Sequence, residues 1–176
     1  MATMNVELAK WACRDHFPAV MFLAHIEDIA HIADDIADGD TDSVGRAVED
    51  LLATALVTLP CDQFYRENFD RLQPLVANAV THWATANAFE RSGDPRMLDR
   101  AFILRSMYAT LTVACAAIVA GPVDGPQWSR EVATKLWAEW THESVGDYIS
   151  EHVTARAAPP PVVSERITAV DSGGST

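Results

Sequence analysis

Apolar residues recur every three or four positions along almost the whole of this chain, and nowhere do they alternate in the strict two-residue pattern of a half-buried strand. That periodicity leaves helices as the building blocks, and proline, glycine and capping residues divide them. A first helix is expected over Met4–His16, stopping before Pro18. The second should run from Pro18 to Asp38, with proline in its first turn and Gly39 as its stop. Asp42 or Ser43 can cap a third helix that reaches Leu59 and ends at Pro60. Asp62 can cap a short segment from Gln63 to Leu72, after which Pro74 opens a long fourth helix through Glu90. Arg91-Ser92-Gly93-Asp94-Pro95 is a break with its own cap and restart, leading into a fifth, strongly apolar helix that ends at Ala120. Gly121–Pro126 reads as a tight connector, and a sixth helix follows from Gln127 to Arg156.

The fold class expected is therefore all-α, a single bundle of about six helices in residues 1–156, with short connections that favour antiparallel neighbours. Residues 157–176 differ in kind. Ala157-Ala158-Pro159-Pro160-Pro161-Val162-Val163 is a polyproline-type spacer, and Asp171-Ser172-Gly173-Gly174-Ser175-Thr176 has the composition of a flexible end. An extended Pro-rich C-terminal arm is the expectation there.

Charge narrows the function classes. The formal charge is -12, and Lys10 and Lys135 are the sole lysines. A net negative field disfavours nucleic-acid phosphates and anionic membrane surfaces, and favours a basic protein partner or bound cations. Protein partners, including further copies of the chain in a homo-oligomer, are expected; nucleic acid and membrane are not. The apolar run Ala101–Ala120 is borderline in length for a membrane span, but it contains Arg105 and reads as a buried central helix. Cys13, Cys61 and Cys115 lie far apart in apolar surroundings without metal-ligand spacing, and read as buried, reduced thiols. The N-terminus lacks the basic and apolar stretches of a signal peptide, which points to the cytoplasm.

The stretch with the sharpest chemistry is His25–Asp40. Between Arg14 and Arg46 the chain has no Lys or Arg, while Asp15, Glu27, Asp28, Asp34, Asp35, Asp38, Asp40 and Asp42 all fall in the gap. On a helical wheel Glu27, His31, Asp34 and Asp38 share one face, with Asp28 and Asp35 at its edge. Phe22, Ile26, Ile29, Ala33 and Ile36 fill the opposite one. Like charges at such spacings repel by a few tenths of a kcal/mol per pair, so a cation, a basic partner surface or water should compensate. A second acidic row, Glu139, Glu143, Asp147 and Glu151, recurs every four residues with His142 and His152 beside it. Trp137, Thr141, Val145 and Tyr148 lie on the other side, toward the core. Packed antiparallel, the two rows would face each other across a cleft suited to Mg²⁺, which takes a few carboxylates plus water or phosphate.

Two resemblances bear on that reading. Ala33-Asp34-Asp35-Ile36-Ala37-Asp38 resembles the first aspartate-rich motif of squalene and phytoene synthases, which have the all-α class I terpenoid synthase fold. The resemblance implies a site in which Asp34, Asp35 and Asp38, with Glu143 and Asp147 as the second motif, hold Mg²⁺ against a diphosphate and Arg105 contacts phosphate. The di-iron pattern is matched less well. Asp28-x-x-His31 and Glu139-x-x-His142 supply paired spacings, but the other helices lack the bridging glutamates. Trp83, Trp137 and Trp140 read as core or interface anchors, and His82 as a core histidine.

Across residues 4–152 the chain is similar to short helical proteins encoded by tailed bacteriophages. The likeness rests on Phe22-Leu23-Ala24-His25 ahead of Asp34–Asp40, then Leu59-Pro60-Cys61-Asp62-Gln63-Phe64-Tyr65 and Leu72-Gln73-Pro74-Leu75. Ala79–Asn87, Glu90-Arg91, Ala101–Ser106 and the late Glu143 with Asp147-Tyr148 continue the series. It implies a structural or interaction protein, virion-associated or acting in the host cytoplasm, that binds neighbouring subunits.

Overall fold

The structure is a computed structural model, and it describes residues 6–139 and 145–157. Those residues form an all-α bundle, and no strand occurs among them. Of the arm expected at 157–176, Ala157 instead ends the last described helix and residues 158–176 lie outside the described residues, as do Glu143, His142 and Trp140.

Helix α1 (Val6–Ala12) leads into α2 (Phe17–Asp38) through Arg14 and Asp15, both with positive φ, 49° and 58°. Pro18 sits in the first turn of α2, the His16 side chain caps it by accepting from the Ala19 N–H, and Gly39 closes it at φ 78°. The left-handed backbone at Gly39 explains why glycine stands there, since any other residue would carry steric strain. Ser43 caps α3 (Val44–Ala53) and Asp62 caps α5 (Gln63–Glu67).

Three boundaries differ from the expected ones, each for a backbone reason. Pro60 does not end the third helix. Its ring would collide with the carbonyl four residues back, and the chain answers by widening into a π-helical turn at Thr54–Thr58 before α4 (Leu59–Cys61). Pro74 does not open a helix either: α6 (Phe69–Ser92) starts directly after Asn68 and carries Pro74 inside it. Finally, the long fifth helix is divided at Ser106 into α7 (Pro95–Arg105), capped by Asp94, and α8 (Met107–Glu139). Within α8 the expected six-residue connector shrinks to one residue, Gly121 (φ 78°, ψ 179°), with Pro122 beginning the next helical piece. The last described element is α9 (Val145–Ala157).

Helix α2 lies at the centre, packed against α1, α3, α5 and α8, while α6 lies along α7 and α8, and α9 rests on α7. Three apolar clusters hold the bundle. The largest joins Phe22, Leu23, Phe64, Tyr65, Leu72 and Leu111 around Cys13 and Cys115. The second gathers Ala12, Ala116, Val132 and Leu136 beneath Trp11 and Trp128. The third places Ala86, Leu98, Ala101 and Tyr148 between α6, α7 and α9. The Trp128 indole N–H donates to the Ala12 carbonyl at 2.8 Å, Arg14 lies over its ring, and Lys135 covers Trp11. Two aromatic rings between two cations thereby pin α1 to the end of α8.

The run Pro95–Ala138 contains a window apolar enough to cross a membrane by composition. The breaks at Ser106 and Gly121 leave its apolar straight piece, 107–120, only about 21 Å long, short of the roughly 30 Å hydrocarbon core. Ala109, Leu111, Thr112, Cys115 and Ala116 of that piece are buried in the bundle. Cys13 and Cys115 are buried thiols as expected, but Cys61, the last residue of α4, is exposed.

Candidate functional site

The acidic face of α2 finds a cation within its own chain. Asp34 Oδ1 accepts from the Trp83 indole N–H at 2.6 Å and from Arg105 Nη1 at 2.9 Å. Arg105 is the last residue of α7, directly before the break at Ser106, and its side chain reaches α2 and α6. Each of its three guanidinium nitrogens donates at least one hydrogen bond. Nε donates to Glu90 Oε1 at 3.0 Å, and Nη2 donates to Glu90 Oε2 at 2.6 Å and to the Asn87 side-chain amide oxygen, Oδ1. Such a planar fork on a carboxylate is the geometry at which arginine exceeds lysine.

From α9 the Tyr148 hydroxyl donates to Glu90 Oε1. His152 lies over the Tyr148 ring with its Nε2 3.8 Å from the same carboxylate oxygen. Four helices thus converge on Glu90 and Arg105. The side chains are well covered: Arg105 is 18% exposed, Asp34 16% and Glu90 13%.

The charges follow. Burial pushes the Glu90 carboxyl up, but hydrogen bonds from Arg105 and Tyr148 and the Arg105 charge outweigh it and hold the group below its ordinary range. Burial would weaken the Arg105 charge, and the Glu90 hydrogen bond with the Asp34 and Glu90 charges reverses that, raising its affinity for the proton. Burial and the bond to Glu90 raise Tyr148, so it stays a donor. At Asp38, loss of water around the carboxyl and the nearby Asp34 charge raise the group, against the pull of Arg105.

The expected site residues separate accordingly. Asp34 and Arg105 are brought together, but as partners of each other. Asp35 is exposed, Asp38 sits at the exposed end of α2, and Asp147 is exposed at the start of α9, one residue before Tyr148. Glu143 lies outside the described residues. Among the described residues no group of three His, Cys, Asp or Glu side chains is placed to hold a metal ion. Glu90, Asn87, Trp83, Tyr148 and His152 are the members that sequence reading missed. Trp83 is a polar anchor as much as an apolar one, and Trp137, expected to face the core, is 48% exposed. A smaller pair lies on the other side of α2. His25 Nδ1 stands 3.4 Å from Asp62 Oδ2, while Asp62 Oδ1 caps the Tyr65 N–H. The expected core histidine, His82, keeps its Nδ1 buried without a hydrogen-bond partner.

Two shallow grooves open on the surface. One, of about 400 Å³, is lined by Thr85, Phe89, Arg100, Ile103 and Leu104, and the other, of about 370 Å³, by Trp11, Arg130, Glu131, Thr134, Lys135 and Ala138. Compared with known families, curated proteins and solved structures, the chain matches none. Fold and site together define an all-α bundle locked by an internal arginine–carboxylate network.

Proposed function

We propose that this chain is a phage-encoded structural or interaction protein, virion-associated, that binds neighbouring protein subunits through its acidic surface. The observation that carries this reading is the employment of Arg105. Every nitrogen it would offer a diphosphate already donates to Asp34, Asn87 or Glu90. That arrangement favours a structural role for the network, and it leaves the exposed acids Asp28, Asp35 and Asp38 of α2, with Asp40 and Asp42 just after it, as the interacting part. The likeness to phage proteins supports the source and the subunit-binding role. The reading with Mg²⁺ and diphosphate on Asp34, Asp35, Asp38, Glu143 and Asp147 draws less support, since Asp34 is already held by two donors and both grooves are shallow.

Mass spectrometry of purified particles tests the proposal. The protein should be present at a constant copy number per particle, and its absence would overturn the virion assignment. Melting with Mg²⁺, with and without pyrophosphate, separates the two readings. A ligand at a hundred times its dissociation constant adds about 2.7 kcal/mol, whereas the interaction reading expects an unchanged melting temperature. A pyrophosphate-dependent rise lost in Asp38→Asn would favour the Mg²⁺ reading instead.

A further inference from the structure

Helix α3 and the π-helical turn after it contain no buried residue. One side, through the half-buried Ala47, Leu51 and Ala55, meets α2. Beside it runs a second apolar row at four-residue spacing: Val44 is 54% exposed, Val48 37%, Leu52 50% and Leu56 68%, with Val57 at 62%. A helix apolar on more than its packed side is a helix with a second face to cover.

The ends of this row differ in charge. Exposed Asp38, Asp40 and Asp42 crowd the corner before α3, and exposed Glu49 and Asp50 flank its first turns, against Arg46 alone. From residue 51 to residue 59 the chain has no charge. The row presents on the order of 400 Å² of apolar surface, within the range of the largest apolar patch on a typical monomer, which is often functional. A standard stable interface needs about 800 Å² from each partner, so a single helix suits the row better than the whole face of a second copy.

We infer that the exposed row Val44, Val48, Leu52 and Leu56 is a docking face for a basic amphipathic helix of a partner protein. The apolar side chains of that helix lie along α3, and its cations are concentrated over the acidic corner at residues 38–50. Apolar anchors supply affinity in such helix-on-helix recognition, and charges fix orientation and speed encounter. A second copy, equally acidic at this corner, lacks the cations. The inference rests on the interaction reading above and gives it a location.

The test uses the full chain and a fluorescein-labelled 18-residue peptide helix with leucines on one face and lysines on the other, followed by anisotropy. A matched peptide with glutamate for lysine is the control. The lysine peptide should bind, the glutamate peptide should not, and added salt should weaken the complex. Leu52→Lys and Leu56→Lys should each weaken binding about tenfold, and Asp40→Asn with Asp42→Asn several-fold. Both leucines are at least half exposed, so melting should be unchanged, and Leu52→Gln repeats the test without added charge. Equal binding by parent and leucine variants overturns the docking face, while the interaction reading stands if the aspartate variants still weaken binding. Indifference to both sets of variants overturns the two together. Sedimentation as a dimer that Leu52→Lys dissociates overturns the basic-helix assignment in favour of a second copy.

Discussion

Replacing Arg105 by methionine keeps much of the side-chain volume and removes the one cation shared by Asp34 and Glu90. Two carboxylates are then left 16% and 13% exposed without their counter-charge. Removing one partner from a buried ion pair costs about 3–5 kcal/mol. Residual water at these side chains and the remaining donors, Trp83 to Asp34 and Tyr148 to Glu90, bring the expectation to the low end, about 3 kcal/mol. For a chain of this size that lowers the melting temperature by roughly 6–12 °C. Urea unfolding followed by far-UV circular dichroism measures it at pH 7. The pH dependence has a definite sign. Glu90 is held below its ordinary 4.5 in the folded protein, so its contribution is complete above that value and is lost as pH falls through the lowered one. Without Arg105, burial raises Glu90 instead, and the deficit of the variant should shrink from pH 7 toward pH 4. Neutralising the network completely, with Arg105→Met, Asp34→Asn and Glu90→Gln together, should recover stability over Arg105→Met alone. A cost under about 1 kcal/mol for Arg105→Met, or a deficit that grows in acid, would refute the assignment of Arg105 as the internal counter-charge.

Two glycines should respond to alanine in opposite directions. A Cβ on Gly125 would lie 2.8 Å from the Ala117 carbonyl oxygen, a backbone atom that cannot swing away, so Gly125→Ala should cost about 1–3 kcal/mol. Gly45 in α3 meets nothing within 4 Å, and Gly45→Ala should add about 0.5 kcal/mol by helix propensity; chemical denaturation reads both. Of the three thiols, Cys61 alone should react quickly with a thiol reagent in the native protein. Burial pushes Cys13 up to about 12 and Cys115 well above its ordinary value, so these two should react only on unfolding. Trp128→Phe deletes the donor to Ala12 while keeping a ring, and should cost about 1 kcal/mol, seen as a lower melting temperature.

Local chemistry was legible in the sequence where a residue acts on its own neighbours. Ser43, Asp62 and Asp94 cap the helices they precede, Gly39 and Gly93 end the helices before them, and Pro18 and Pro95 stand in first turns. Each of those roles is decided within four residues. Pro60 and Pro74 were less legible, because a proline can stop a helix or be absorbed by it, and the choice depends on packing around Leu59 and Leu72, which are buried. The site was the least legible part. The acids of α2 pointed to a missing cation, and Arg105 stood out within an apolar run. Joining them requires contact across 71 positions, which no local pattern encodes. Glu90, near the end of its helix, gave no sign in sequence of being the group on which α7 and α9 meet α6.

The 71-position separation between Asp34 and Arg105 also orders events during synthesis. The N-terminal part of a chain emerges first, and here it emerges with its acidic helix and no Lys or Arg between Arg14 and Arg46. The apolar side of α2 can collapse onto α5 as soon as Phe64 and Tyr65 arrive. Its acidic side has to wait in water until Arg105 is made, and Glu90 until Tyr148 follows. The last described helix is thus the final bolt, and a ribosome-bound chain cut short before Arg105 would hold α2 by one face only.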